Sequence, residues 1–466
     1  HSTPALPAPP DPPPALATPL PPHPQTPPHH HPDTARMPRC GVPYHAAPSY
    51  QAKLVKAGRR VAISEQTEDP SQAKGIVRRE VIRVVTPGVT TDDQILEENE
   101  NRYVCALSRS SGESITHWGF SFLDLSTGEF LVGEESDVAQ APEQIIDHLT
   151  LMRPAELLVN EGQKDELEKL IEAASLHLPE LCITPRPADL FHFKEANHDL
   201  ADHFKVINLD GFGCGSMHQG IVAAGVLLDY ARETQKSDIG HIEKLIPLSR
   251  DSVLLIDDAS RRNLELTRTI IGNKREGSLL SVLDKTKTPM GGRLLQNYLL
   301  QPLQDTDTII ERQDSVSFFH QNPAIRQQFR EYLEAIYDLE RLNSRMVLGQ
   351  GNGRDAVALR QSLGILPDIH ALLKQCTTTG LQRIDHNFDD LSELAELLEQ
   401  SIGDEPPVTL RDGNLIREDY NEELDELIHL LREGKALILG LENQEREKTG
   451  IAKLKIGYNK VFGYYI

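Results

Sequence analysis

Residues 448–466 contain Lys448, Lys453, Lys455 and Lys460 and no acidic residue, whereas residues 411–447 carry eleven acids against five basic side chains. A cationic end on an anionic stretch suits the gripping of a phosphate backbone, which needs local Lys or amide donors and no reading of bases. Lys453, Lys455, Asn459 and Lys460 are the candidates for such contacts. The alternation of residues 451–466 predicts two short strands, 451–456 and 460–466, across a turn at 457–459. Composition leaves a second reading equally open, a solvated hairpin in which Tyr458, Phe462 and Tyr464 merely pack.

Other residue types with chemical potential are less well placed. Asp124 ends a predicted strand, a position from which a carboxylate can serve metal-assisted hydrolysis in ribonuclease H-like nucleases. One carboxylate does not make such a site, and no second acid can be placed on a neighbouring strand, so a structural or solvated Asp is expected. His29, His30 and His31 lie in a Pro-rich stretch without the fixed geometry a metal requires. The five cysteines, Cys40, Cys105, Cys182, Cys214 and Cys376, show no CxxC spacing and read as structural thiols of a reducing compartment. The stretch GQGNG at 349–353 follows a helical segment rather than a strand and is read as a turn, not a phosphate loop. No GxxxxGK[ST], HExxH or Ser/His/Asp pattern with usable context occurs, so no catalytic, metal or cofactor site is assigned.

These residues need elements to position them. A chain of 466 residues is long enough for about three domains, and its net charge of −22 confines any nucleic-acid contact to local patches. No apolar run approaches a membrane span, so a soluble protein is expected. Residues 1–36, rich in Pro and His, are expected to form a disordered extension, without the features of a secretory signal. Residues 37–100 read as a partial small α/β domain, with a helix at 49–57 and strands at 60–64 and 77–85 closed by a Thr-Pro-Gly turn. Eight Lys or Arg against four acids between residues 51 and 85 predict a basic surface there.

Past an acidic linker at 92–101, residues 101–248 read as a mixed α/β domain. Its strands are expected at 103–107, 118–124, 130–132 and 156–160, and its helices at 142–152 and 164–174. Residues 249–416 show Leu and Ile at helical spacing and read as all-α. In residues 417–466, Leu424, Leu431 and Ile438 lie seven apart, as do Leu427, Gly434 and Leu441, so a long arm helix with a narrow apolar stripe leads into the lysine-bearing β-tip.

Six ordered motifs resemble the MutS mismatch-repair family. GVPYHA (41–46), with KLV (53–55), VAISEQ (61–66) and VVTPG (84–88), is similar to the second half of its mismatch-binding domain. FLDLSTGEF (122–130) resembles its connector domain; LIDDASRRNLEL (255–266), TPMGGRL (288–294) and QPL (301–303) resemble its core or lever domain. LDEL (424–427), LKIGYN (454–459) and GYYI (463–466) resemble the clamp that grips duplex DNA. The resemblance implies a multidomain α+β protein: a partial mixed α/β mismatch-binding domain, a ribonuclease H-like connector without nuclease activity, an all-α lever and a helical clamp arm ending in a small β-tip.

It adds Tyr44 and His45 as weaker DNA contacts. The family's Phe/Glu mismatch probe and its ATPase domain are not matched by any segment here, so the chain is expected to hold the middle of the family protein. The complete protein is expected to be a cytoplasmic, nucleoid-associated bacterial dimer, an ATP- and Mg-dependent DNA damage sensor and sliding clamp. Its partners would be double-stranded DNA with mismatches or small loops and downstream factors of the MutL type, with no membrane. Two other readings remain, a structure-specific nuclease using Asp124 and a helical protein-interaction scaffold.

Overall fold

The computed structural model describes residues 41–42, 46–68, 77–111, 116–136, 141–248, 253–407, 410–459 and 463–465. The extension at 1–36, the His29–His31 run, Cys40, Tyr44, His45 and Lys460 lie outside them.

The first unit is helix α1 (Ala47–Lys56) on a two-stranded antiparallel ribbon, β1 (Val61–Gln66) and β2 (Arg79–Val85). Ala52 and Val55 of the helix meet Val85 and Ile95 in a small core. The turn after β2 is anchored by Glu156, a fully buried carboxylate that accepts from the Thr86 hydroxyl, the Gly88 N–H (3.2 Å), the Thr184 hydroxyl (2.7 Å) and the Tyr230 hydroxyl (2.7 Å). Four donors satisfy a charge that would otherwise be costly to bury. Gly88 is needed here, since a Cβ would sit 2.8 Å from the Cβ atoms of Glu156 and Val104.

The second unit is a six-stranded mixed sheet in the order β7-β6-β3-β4-β5-β8. Strands β3 (Val104–Ser111), β4 (Thr116–Asp124) and β5 (Glu129–Ser136) form an antiparallel meander. Parallel strands β6 (Glu156–Asn160), β7 (Cys182–Arg186) and β8 (Ile246–Pro247) extend it on both sides. Helices α2 (Ala141–Met152) and α3 (Lys164–His177) cover the face carrying Cys105, Leu107, Phe120 and Phe122. Helices α4 (Phe193–Phe204) and α5 (His218–Gln235) cover the face carrying Val104, Ala106, Leu123 and Val132. Successive side chains point to opposite faces, and both faces are covered, so the middles of these strands are apolar on both sides, as at Val104–Leu107 and Leu157–Val159.

The third unit is helical: α6 (Asp258–Asn263), α7 (Leu279–Leu283), α8 (Pro289–Leu300), α9 (Thr306–Gln321), α10 (Pro323–Glu334), α11 (Leu339–Val347), α12 (Gly353–Leu373), α13 (Thr379–His386) and α14 (Ser392–Ser401). Most begin at a polar residue whose side chain accepts from the first turn, as at Asp257, Ser278, Thr288, Asp305 and Asp338. Asn352 and Asp355 form a reciprocal capping box at the start of α12. Its Leu363, Leu366, Ile369 and Leu373 join Phe329 and Leu381 in the core of this unit. The GQGNG stretch is the turn that leads into α12, whose first residue is Gly353, with Gly349 at φ +66°.

The acidic segment expected as a linker is in fact bound along its length. Arg341 Nη2 donates to the carbonyls of Glu97 (2.9 Å) and Glu100 (2.8 Å), and Arg293 Nη1 donates to that of Glu98 (2.9 Å). Arg268 pairs with Glu100 at 2.7 Å and Arg345 with Asp93 at 2.9 Å. The physical reason is long-range charge complementarity: its acids and carbonyls meet four arginines of the helical unit.

The arm helix α15 (Glu422–Thr449) starts at Asn421, which accepts from Leu424 N–H, and places Glu422, Glu423 and Asp425 in its first turn and Arg446 and Lys448 in its last. That distribution suits the helix dipole. Gly450, left-handed at φ +70°, ends it. The heptad stripe is largely uncovered, with Leu431 83% exposed and Leu427 and Leu441 about half exposed. Among the described residues no helix is long and apolar enough to cross a membrane.

Candidate nucleic-acid interface

Beyond Gly450 the chain turns through residues 451–454, where the Leu454 N–H donates to the Ile451 carbonyl at 3.2 Å. It then enters β9 (Gly457–Asn459), which pairs antiparallel with β10 (Gly463–Tyr465). The strands thus differ from those expected: residues 451–456 are not a strand, and 457–459 are strand rather than turn. The cause is local. Arg446 Nε donates to the Leu454 carbonyl at 2.8 Å, and Glu442 accepts from the Ile456 N–H at 3.1 Å, so helix side chains take the groups a longer ladder would use.

Lys453 lies in that turn and Lys455 just after it, both exposed. Neither pairs with a carboxylate among the described residues, whereas Lys448 is drawn to Glu445 at 3.0 Å. Asn459 is paired through its backbone register with Gly463 on the tip, and the placement of its side chain lies outside the description. Lys460 lies outside the described residues. The structure therefore brings Lys453, Lys455 and the backbone of Asn459 to one end of α15. It does not speak to Lys460, Tyr44 or His45.

A second cationic surface lies on the first unit, as its composition implied. Lys53, Lys56, Arg59 and Arg60 are exposed around the end of α1, with Lys53 Nζ 5.8 Å from the Tyr50 ring centroid. Arg78 is compensated by an ion pair with Glu80.

Asp124 is 1% exposed and its oxygens are occupied. One accepts from the Ser126 N–H (2.9 Å) and hydroxyl (2.7 Å); the other accepts from the Arg102 N–H (3.0 Å) and Asn101 Nδ2 (3.1 Å). Asn101 also donates to Glu129 at 3.0 Å, whose carboxyl is pushed up by burial, partly opposed by the Tyr103 hydroxyl at 2.5 Å. Asp124 is thus a turn-closing acceptor at the C-terminal end of the interior strand β4. Among the described residues no group of three or more His, Cys, Asp or Glu is arranged to hold a metal. The nuclease reading loses its one residue.

The sequence reading missed the fastening of the tip by Glu442 and Arg446. Their four-residue spacing on a helix was a legible signal, but their backbone partners were not.

Comparison with known proteins accords with this architecture. Models of MutS domain I, MutS domain II and MutS domain III match residues 25–94, 102–243 and 259–447. The chain is 42% identical over 431 residues to a DNA mismatch repair protein MutS of Halothermothrix orenii, covering 92% of this chain and 47% of that protein. A protein of the same name from Alkaliphilus oremlandii is 40% identical over 439 residues, covering 93% of this chain and 48% of that one. For one from Desulforamulus reducens the values are 41% over 437 residues, 92% and 49%. The chain spans about half the length of the curated relatives it matches. Three domain models in family order and about 40% identity along nearly its whole length place this chain in the MutS family, with domains I, II and III present.

Proposed function

We propose that this chain is the DNA-holding part of a mismatch-repair protein. Residues 37–100 act as part of the mismatch-binding domain, 101–248 as a ribonuclease H-like connector, 249–416 as the lever and 417–466 as part of the clamp. Lys453, Lys455, Asn459 and Lys460 hold the phosphate backbone, and Tyr44 and His45 contribute secondary contacts. The observation that carries the reading is the exposure of Lys453 and Lys455 at the end of an acidic arm, with no carboxylate drawn to them among the described residues. Unpaired ammonium groups exchange counterions for phosphates without first breaking an internal ion pair.

In the full-length protein the same parts work in a dimer around DNA, with ATP and Mg supplied for its conversion to a sliding clamp and with MutL-type factors downstream, in the bacterial cytoplasm at the nucleoid. Selectivity for a mispair comes from duplex deformability, because a site with disrupted stacking bends at lower cost. Two measurements test this. Disruption of the gene is expected to raise the spontaneous mutation rate, and an unchanged rate overturns the repair role. Titration of the 466-residue chain into a labelled mispaired duplex is expected to give saturable, salt-sensitive binding, and its absence at low salt overturns the DNA-holding role.

A further inference from the structure

Gln350 stands where all three units meet. Its Oε1 accepts from Arg83 Nη1 of β2 at 2.6 Å and from the hydroxyl of Thr91, just before the bound acidic segment, at 2.5 Å. Its Nε2 donates to Gln235 Oε1, at the end of α5, at 3.1 Å. Thr91 and Gln235 are buried and Gln350 and Arg83 half-buried, so breaking these bonds leaves partly desolvated groups without their partners. One side chain thereby touches the two-stranded ribbon, the connecting segment and the sheet unit from the threshold of α12.

The backbone holds that side chain in place. The N–H groups of Gln350 and Gly351 both donate to the Arg345 carbonyl at 2.9 Å. Gly349 takes φ +66°, a left-handed conformation that favours glycine, so the turn is shaped by glycine on the N-terminal side of Gln350. Arg345 spans Asp93 at 2.9 Å and Asp355, the third residue of α12, at 2.7 Å, tying the same segment to the same helix start. Helix α5 packs against β2 as well as against the sheet.

We infer that Gln350 is a positioning residue that locks β2, the segment after it and α5 to the start of α12 as one joint, so that displacement of the ribbon is handed to the helical unit. The inference is independent of the nucleic-acid reading, since it concerns the unliganded chain. The three hydrogen bonds make a contiguous network between these elements, the kind of connection through which such coupling can be carried.

Hydrogen exchange followed by mass spectrometry on the 466-residue chain tests it, comparing Gln350→Ala, Thr91→Val and the double variant. In Gln350→Ala, exchange is expected to quicken roughly tenfold together at 79–91, 228–236 and 347–356, while β4 and the second half of α12 stay unchanged. The nearly isosteric Thr91→Val is expected to quicken exchange at 347–353, 259 positions away from its own site. The double variant is expected to add nothing beyond Gln350→Ala. Effects confined to 347–356 in Gln350→Ala, or to 79–91 in Thr91→Val, or effects that simply add, overturn the proposal. If Gln350→Ala does not fold, Thr91→Val alone decides: quickening at 347–353 supports the joint and its absence refutes it.

Discussion

Glu442 and Arg446, one turn apart on α15, fasten the chain that carries the lysines. Glu442 is ion-paired with Arg446 through one oxygen and accepts the Ile456 N–H through the other at 3.1 Å, while Arg446 donates to the Leu454 carbonyl at 2.8 Å. Lys453 and Lys455 therefore sit on a turn whose place is set by a nearly buried carboxylate, not on a frayed end.

Glu442→Ala is expected to free this turn without unfolding the arm. A hydrogen bond to a charged group contributes about 1.5–3 kcal/mol, so amide exchange at Ile456 is expected to quicken by roughly ten- to a hundredfold with helical circular dichroism retained. Unchanged protection at Ile456 contradicts the fastening role.

Asp124→Ala is expected to destabilise the sheet unit by about 2–4 kcal/mol in urea unfolding, because the Asn101, Arg102 and Ser126 donors lose their buried acceptor. Duplex affinity measured below the unfolding transition is expected to stay close to that of the parent. A fully stable Asp124→Ala variant contradicts the assignment of Asp124 as a structural acceptor.

Burial holds the His241 imidazole below its ordinary value near 6.5, opposed in part by its hydrogen bond to the Leu125 carbonyl, and burial lowers His203 likewise. The unfolded chain then takes up protons first as pH falls. The stability linked to these groups is fully present above about pH 6.5 and is lost as pH drops through the lowered native values. The urea midpoint is expected to fall between pH 7 and pH 5, and His241→Gln is expected to flatten part of that fall. An identical pH profile in the variant contradicts this.

Much of the architecture was legible because its signals are local. The run from Trp118 to Val132 alternates and turns at Ser126-Thr127-Gly128, and the structure has β4, that turn and β5 there. The heptad of Leu424, Leu431 and Ile438 marked α15. What was not legible depends on partners far away in the chain. Glu97 and Glu100 look like solvated linker residues until Arg341 and Arg268, more than 160 positions later, are seen to bind that stretch. Ile451 to Ile456 alternates like a strand, but Glu442 and Arg446 compete for its backbone groups. Of the candidate contacts, the accessibility of Lys453 and Lys455 followed from composition, while their support from behind did not.

The central claim is that the lysines of the tip hold the phosphate backbone. Its most direct test is the salt dependence of duplex binding by the chain and by a variant with Lys453, Lys455 and Lys460 all replaced by Ala. The slope of log affinity against log salt is expected to become shallower by about 0.9 for each phosphate no longer neutralised, about 2.7 for three. A slope unchanged by the triple replacement contradicts the account.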